Sequence, residues 1–150
     1  MFKKILCPVD FGDISMNAAN NAINLASEIK GEITFIHVTD IQALQNIGDL
    51  SGGGINNLDL LIEEEKPILS KLKDACEKKG IKVKTVLTHG EPVSIILETI
   101  KEGGYDLIIM GTHGKTGFKR LVLGSIAENV VRKSNIPVLL YHSISAKSAD

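Results

Sequence analysis

Residues 110–125 read MGTHGKTGFKRLVLGS, and four of them keep one spacing. Gly111 is followed after two residues by Gly114, and after nine more by the pair Gly124-Ser125. The chemistry that such a pattern serves is anion binding. Small residues behind a buried strand and ahead of a helix let backbone N–H groups approach an anion, and phosphate is the usual occupant of such a nest. The apolar run Asp106 to Met110 stands directly before the array, so the array is read as a cradle for the phosphates of a nucleotide. Gly114-Lys115-Thr116 has the look of a P-loop ending, but that motif needs a glycine at 109, where Ile stands. A dinucleotide-type GxGxxG is absent as well. Lys115, Lys119 and Arg120 make the segment locally basic, unless they are only a solvated face. His37, His89 and His113 fall at the ends of expected strands, yet no HxH or HxxxH spacing joins them, so no protein-ligated metal is expected.

Each of these residues also has a purely structural role open to it. Gly111 and Gly114 could serve a tight turn, Asp10 could cap a following helix, and Ser125 with Glu128 forms the pattern of a capping box.

What must position these residues is an alternation of short β-like runs and helical patterns. Strands are expected at Lys4–Val9, Glu32–Val38, Lys82–Thr88, Asp106–Met110 and Ile136–Tyr141. Between the first two, Ile14, Ala18, Ala22, Leu25, Ala26 and Ile29 recur at helical spacing, with Gly31 as the stop. A second helix carries Leu58, Leu61, Ile62, Leu69, Leu72, Ala75 and Cys76 on one face and closes at Gly80; Pro67 should kink or restart it. A third begins near Pro92 with Val93, Ile96, Leu97 and Ile100, and a fourth begins at Ser125. Such alternation implies an α/β fold, a single-domain doubly wound five-stranded parallel sheet with helices on both faces. The expected strand order is 3-2-1-4-5, with Lys82 and Lys84 marking the third strand as an edge. Its switch point lies between strands one and four, where ligands bind beyond the carboxyl ends. Asp10 ends one of those strands and Gly111 the other, so two separate signals point into one crevice.

Two stretches fall outside this pattern. Residues 39–57 contain Ser51-Gly52-Gly53-Gly54 and are expected to be a flexible loop, either a lid over the crevice or a mobile insertion. The tail, residues 142–150, is polar and expected to fray.

Composition narrows the classes further. The chain has 150 residues, enough for one ordinary domain with a sizeable core. A net charge of −1 and 4% aromatic residues offer neither a field nor a stacking platform for nucleic acid. No apolar run is long enough to span a membrane, and no signal segment opens the chain, so a cytoplasmic location is expected. Cys7 and Cys76 lack any CxxC context, and Cys7 is expected as a buried thiol.

A receiver domain shares the sheet order, but it needs an Asp after strand three and a Lys after strand five. Thr88-His89-Gly90 and Tyr141-His142-Ser143 stand there instead. Val9-Asp10 after the first strand, the segment GTHGKTGFKRLVLGS and the closing NIPVLLY resemble the universal stress protein family, in particular its ATP-binding branch. The likeness runs from Met1 to about Tyr141. It implies that Asp10 holds the adenosine part, with Pro8 and Val9 beside the base and backbone at Val38 meeting the adenine. Met110 and Gly111 would line base and ribose, while Thr112, His113 and Gly114 would wrap the phosphates. Gly124, Ser125 and Ile126 would contact them from the helix start. Gly12 departs from the family, which often has Ser there; Ser15 keeps the next familiar position. The implied ligand is ATP, retained as ATP, ADP or AMP, with Mg²⁺ carried by the phosphates. The resemblance also implies a homodimer paired through Ile136–Tyr141, whose apolar edge would otherwise be a pairing hazard.

The function expected is therefore that of a nucleotide-sensing regulatory module in stress response. Two alternatives remain at this point: an enzyme using the same site for slow ATP hydrolysis or phosphoryl or adenylyl transfer, and a dimeric scaffold that binds no nucleotide.

Overall fold

The computed structural model describes residues 1–48, 56–113 and 123–142. Five strands, β1 (Lys4–Pro8), β2 (Glu32–Asp40), β3 (Val83–Gly90), β4 (Leu107–Gly111) and β5 (Val138–Tyr141), form one sheet in the order β3-β2-β1-β4-β5. All neighbouring pairs are parallel. This is the doubly wound α/β arrangement that the alternation implied. β1 and β4 lie in the middle and are apolar toward both faces, because helices cover both.

On one face sit α1 (Asp13–Ile29) and α3 (Asn56–Lys78). Their core joins Ile5, Cys7, Ile33, Phe35 and Ile109 of the sheet to Ala19, Ala22, Ala26, Leu69 and Leu72 of the helices. The alanine stripe of α1 lets the helix backbone come close to the sheet. On the other face α4 (Pro92–Gly103) and α5 (Ser125–Lys133) bring Ile96, Ile100, Ala127 and Val130 against Leu6, Ile36, Ile108 and Met110. Cys7 and Cys76 are free, buried thiols. Burial pushes the Cys7 thiol far above its ordinary value, which leaves it unreactive.

Several local expectations change in detail. The stop of α1 combines two residues. Lys30 takes the left-handed conformation (φ 53°), and Gly31 N–H donates to the Ala26 carbonyl at 2.9 Å. Gly31 is required for space, since a Cβ there would lie 2.9 Å from the Lys3 carbonyl oxygen.

The interval 39–57 is not one flexible loop among the described residues. Thr39 and Asp40 continue β2, and the Asp40 carboxylate accepts from the N–H groups of Gln42 (3.0 Å) and Ala43 (3.2 Å). That cap starts a further helix, α2 (Ile41–Gly48). Residues 49–55, with the glycine run, lie outside the described residues, as do 143–150 of the tail. Pro67 sits on the exposed side of α3 and does not divide it. β5 begins at Val138 rather than Ile136, because Pro137 has no N–H to give a ladder; its carbonyl still accepts from Ile108 N–H at 3.0 Å.

The capping box at Ser125 is not formed. Ser125 is the first residue of α5, and Gly124, the cap residue, supplies no side chain. Glu128 pairs with Arg132 at 2.7 Å, one turn on, instead of reaching back. A capping hydroxyl must stand one residue earlier, where the backbone is extended. By contrast α4 has a side-chain cap that its sequence did not advertise. Glu91 accepts from Val93 N–H (3.2 Å) and Ser94 N–H (2.7 Å), which holds its carboxyl below the usual range.

Candidate functional site

β1 feeds α1 on one face of the sheet and β4 leads to α5 on the other, so the two exits diverge and open a crevice between them. A cavity of about 290 Å³ lies there. Pro8, Val38, Met110 and Gly111 line it from the strands, and Val9 and Asp10 from the turn that follows β1. Thr112, His113, Gly124, Ser125 and Ile126 line it from the far side. Of the residues expected in the site, only Gly114 is not among these, and it lies outside the described residues together with Lys115, Lys119 and Arg120. The cavity also takes in Ser15, Ile36 and, from the helices, Pro92, Ile96 and Ala127. Ile96 was legible as part of an apolar helical face, but nothing in its spacing said that the face reaches the crevice.

The first turn is fixed by its own polar groups. Asp10 N–H donates to Ser15 Oγ at 2.9 Å, and Asp10 Oδ1 accepts from Gly12 N–H at 2.9 Å. Asp10 thus closes the turn ahead of α1 but does not cap the helix, whose cap residue is Gly12 with no side-chain cap bond, and its second carboxylate oxygen has no partner among the described residues. Phe11 between them adopts a left-handed φ of 66° and stacks on His37, ring centroids 4.2 Å apart.

On the other side, Thr112 N–H donates to the Tyr141 carbonyl (2.9 Å) and Gly124 N–H to the Thr112 carbonyl (2.7 Å), which pins both ends of the intervening segment. The first internal bond of α5 runs from Glu128 N–H to the Gly124 carbonyl. Among the described residues the N–H groups of Ser125, Ile126 and Ala127 are therefore left over at the positive end of the helix dipole, and no side chain caps them. Beside them, His113 Nδ1 meets Thr112 Oγ1 at 2.9 Å, and His113 Nε2 is buried with no partner among the described residues. A buried orphan of that kind calls for a ligand atom. The Thr112 hydroxyl can donate to or accept from Nδ1; when it donates, the ring hydrogen is on Nε2, the form that suits an anionic oxygen.

At the floor, strand parity decides what Val38 offers. Glu32 N–H donates to Lys3 and Ile36 carbonyl accepts from Val9, whereas Ile33 N–H donates to Lys82. Even-numbered residues of β2 therefore turn their backbone groups toward β1. β1 ends at Pro8, opposite Ile36, so the N–H and C=O of Val38 face the crevice. That pair presents one donor and one acceptor, side by side.

Residues 1–142 match the universal stress protein family. The chain belongs to that family. It is 39% identical over 140 residues to universal stress protein MJ0531 of Methanocaldococcus jannaschii, covering 93% of this chain and 82% of that one. The solved structure of MJ0577 from the same organism superposes with a TM-score of 0.83 at 34% identity, covering 95% of this chain and 97% of the other. A universal stress protein of Archaeoglobus fulgidus, solved in complex with dAMP, shares the fold at a TM-score of 0.65 and 22% identity, over 94% of this chain and 98% of that one.

In this universal stress protein the first glycine of the array has a packing reason of its own. A Cβ on Gly111 would lie 3.0 Å from Ile14 Cγ2, 3.2 Å from Ser15 N and 3.3 Å from Ile14 C. Two of those atoms are helix backbone and cannot rotate away. Gly111→Ala is expected to push α1 off the end of β4 and lower stability by about 1–3 kcal/mol. Urea denaturation checks it; a change within error would mean that α1 shifts without cost.

Proposed function

We propose that the chain binds an adenine nucleotide, ATP or its ADP or AMP forms, and acts as a nucleotide-sensing module in stress response. The observation that carries this is the convergence, in one switch-point cavity, of the N-terminus of α5 and His113 Nε2, both without a partner among the described residues. Both suit phosphate oxygens, and charge-assisted hydrogen bonds of this type contribute roughly 1.5–3 kcal/mol each. The donor–acceptor pair of Val38 suits the N1 and N6 edge of adenine, with Asp10 toward the ribose. The fold holds an adenine nucleotide in the A. fulgidus protein.

The described residues include no group of three acidic, His or Cys side chains able to hold a metal, so Mg²⁺ would enter with the phosphates. Sensing requires that nucleotide bind two conformations unequally; the segment after α2, which follows β2, and the dimer surface are where this would act. We place the dimer at β5, an edge strand on which Leu139 is 39% exposed. A cytoplasmic location is in keeping with free thiols at Cys7 and Cys76 and with the lack, among the described residues, of a helix able to cross a membrane.

Calorimetry with Mg-ATP, with GTP as control, tests the proposal. Micromolar ATP binding, weaker GTP binding and loss in Asp10→Ala are expected, with a mass by light scattering of twice 16.2 kDa. Absence of ATP binding in the intact protein would overturn it.

A further inference from the structure

His37 does not line the cavity, yet it is buried and spends its hydrogen bonds on the loop that does. Its Nδ1 lies 2.7 Å from the Val9 carbonyl oxygen, and its Nε2 lies 3.1 Å from Glu65 Oε1 on α3. Thr39 Oγ1 donates to the other Glu65 oxygen at 3.2 Å. A carbonyl only accepts, so Nδ1 carries a hydrogen. A second hydrogen, on Nε2 or on the Glu65 carboxyl, makes the bond between them, and this bond fixes the ring plane as the stacked Phe11 does from its face.

The consequence lies in the ladder between β1 and β2. Val9 N–H donates to the Ile36 carbonyl at 2.9 Å. In a regular parallel ladder the next bond would run from Val38 N–H to the Val9 carbonyl. That bond is missing among the described residues, and the Val9 carbonyl is bonded to His37 instead.

We infer that His37 is a positioning residue for base selection: by holding the Val9 carbonyl out of the ladder, it keeps the Val38 N–H free to donate to a purine. This rests on the adenine-nucleotide reading and adds to it the group that enforces the choice of base. Adenine presents an acceptor at N1 and a donor at N6, which complements the N–H and C=O of Val38. Guanine presents a donor at N1 and an acceptor at O6, so both contacts meet like groups. Without His37 the ladder would close by one bond and Val38 would keep only its carbonyl for the base.

The test compares ATP with 1-deaza-ATP, which has C–H in place of N1, by calorimetry on the full chain. The wild type should bind ATP about tenfold tighter than 1-deaza-ATP, the effect of one hydrogen bond. His37→Phe keeps a ring of similar size without the donor. It should bring ATP down to the 1-deaza-ATP affinity and leave 1-deaza-ATP unchanged. His37→Asn, whose amide N–H can stand near the place of Nδ1, should restore much of the preference. Equal weakening of both ligands in His37→Phe, or a preference as large as in the wild type, overturns the inference alone. No ATP binding by the wild type overturns the nucleotide reading and this inference with it. Hydrogen exchange on the wild type needs no variant to fold. The Val38 amide should exchange fast without ligand, slow with ATP and stay fast with 1-deaza-ATP; protection without ligand would show that the ladder is already closed.

Discussion

Phe35→Ala is expected to lower the unfolding free energy by about 3–5 kcal/mol, the usual cost of emptying a buried aromatic site. Phe35 is fully buried on β2, the strand that carries Val38 to the cavity floor. The cost belongs at the upper part of that range because the surroundings have little with which to refill the space. α1 meets this core through Ala19, Ala22 and Ala26, which have no reach, and the sheet adds the β-branched, stiff Ile5 of neighbouring β1 and Ile33 of β2 itself. Moving α1 inward would press Ile14 and Ser15 on Gly111, where no space remains. In urea the midpoint should fall with an unchanged slope, as for a loss of stability without a change in exposed surface. Mg-ATP at about 100 times its dissociation constant should restore about 2.7 kcal/mol to the variant if it binds only the folded chain. A loss below about 1 kcal/mol would mean that the core collapses around the void.

The parts of this fold that could be read from the chain are those in which local pattern and tertiary role coincide. β1 and β4 are apolar without alternation because both faces are covered, a pattern that belongs to central strands. Strand ends then follow, and with them Asp10, Val38 and Gly111 at one end of the sheet. The parts that stayed hidden are those in which a local motif competes with a neighbour. Ser125 and Glu128 have the spacing of a capping box, but Gly124 takes the cap position and Arg132 takes Glu128. The glycines at 52–54 made the whole interval 39–57 look irregular and masked the cap that Asp40 gives to α2. Gly111 was legible as a phosphate-side glycine, while its contact with α1 depends on a helix almost 100 residues earlier in the chain. The His37–Glu65 pair spans 28 positions, and no periodicity connects a strand histidine to a helix carboxylate at that distance. Buried polar pairing of this sort is decided by which helix packs on which strand.

Ser125→Asp is expected to weaken ATP about a hundredfold, near 2.7 kcal/mol, while making the protein slightly more stable. The two signs come from one cause. Ser125 opens α5 behind a cap residue with no side chain, so the N–H groups of the first turn face the cavity unsatisfied. A carboxylate placed there interacts with the helix dipole and contributes roughly 0.3–1 kcal/mol to the folded state. The same carboxylate takes the place of phosphate oxygens and repels what remains of the ligand's charge. Ser125→Ala removes only a hydroxyl and leaves the backbone groups in place, so its effect on ATP should be a few-fold. Raising ionic strength should narrow the gap between the Asp variant and the wild type, because an exposed carboxylate is screened. Thermal melts and calorimetry on the same samples read both signs. Normal ATP binding by Ser125→Asp would show that the phosphates do not reach α5. Weakened binding together with lowered stability would mean that the substitution damages the helix, and the two effects would then no longer separate the ligand's charge from the fold.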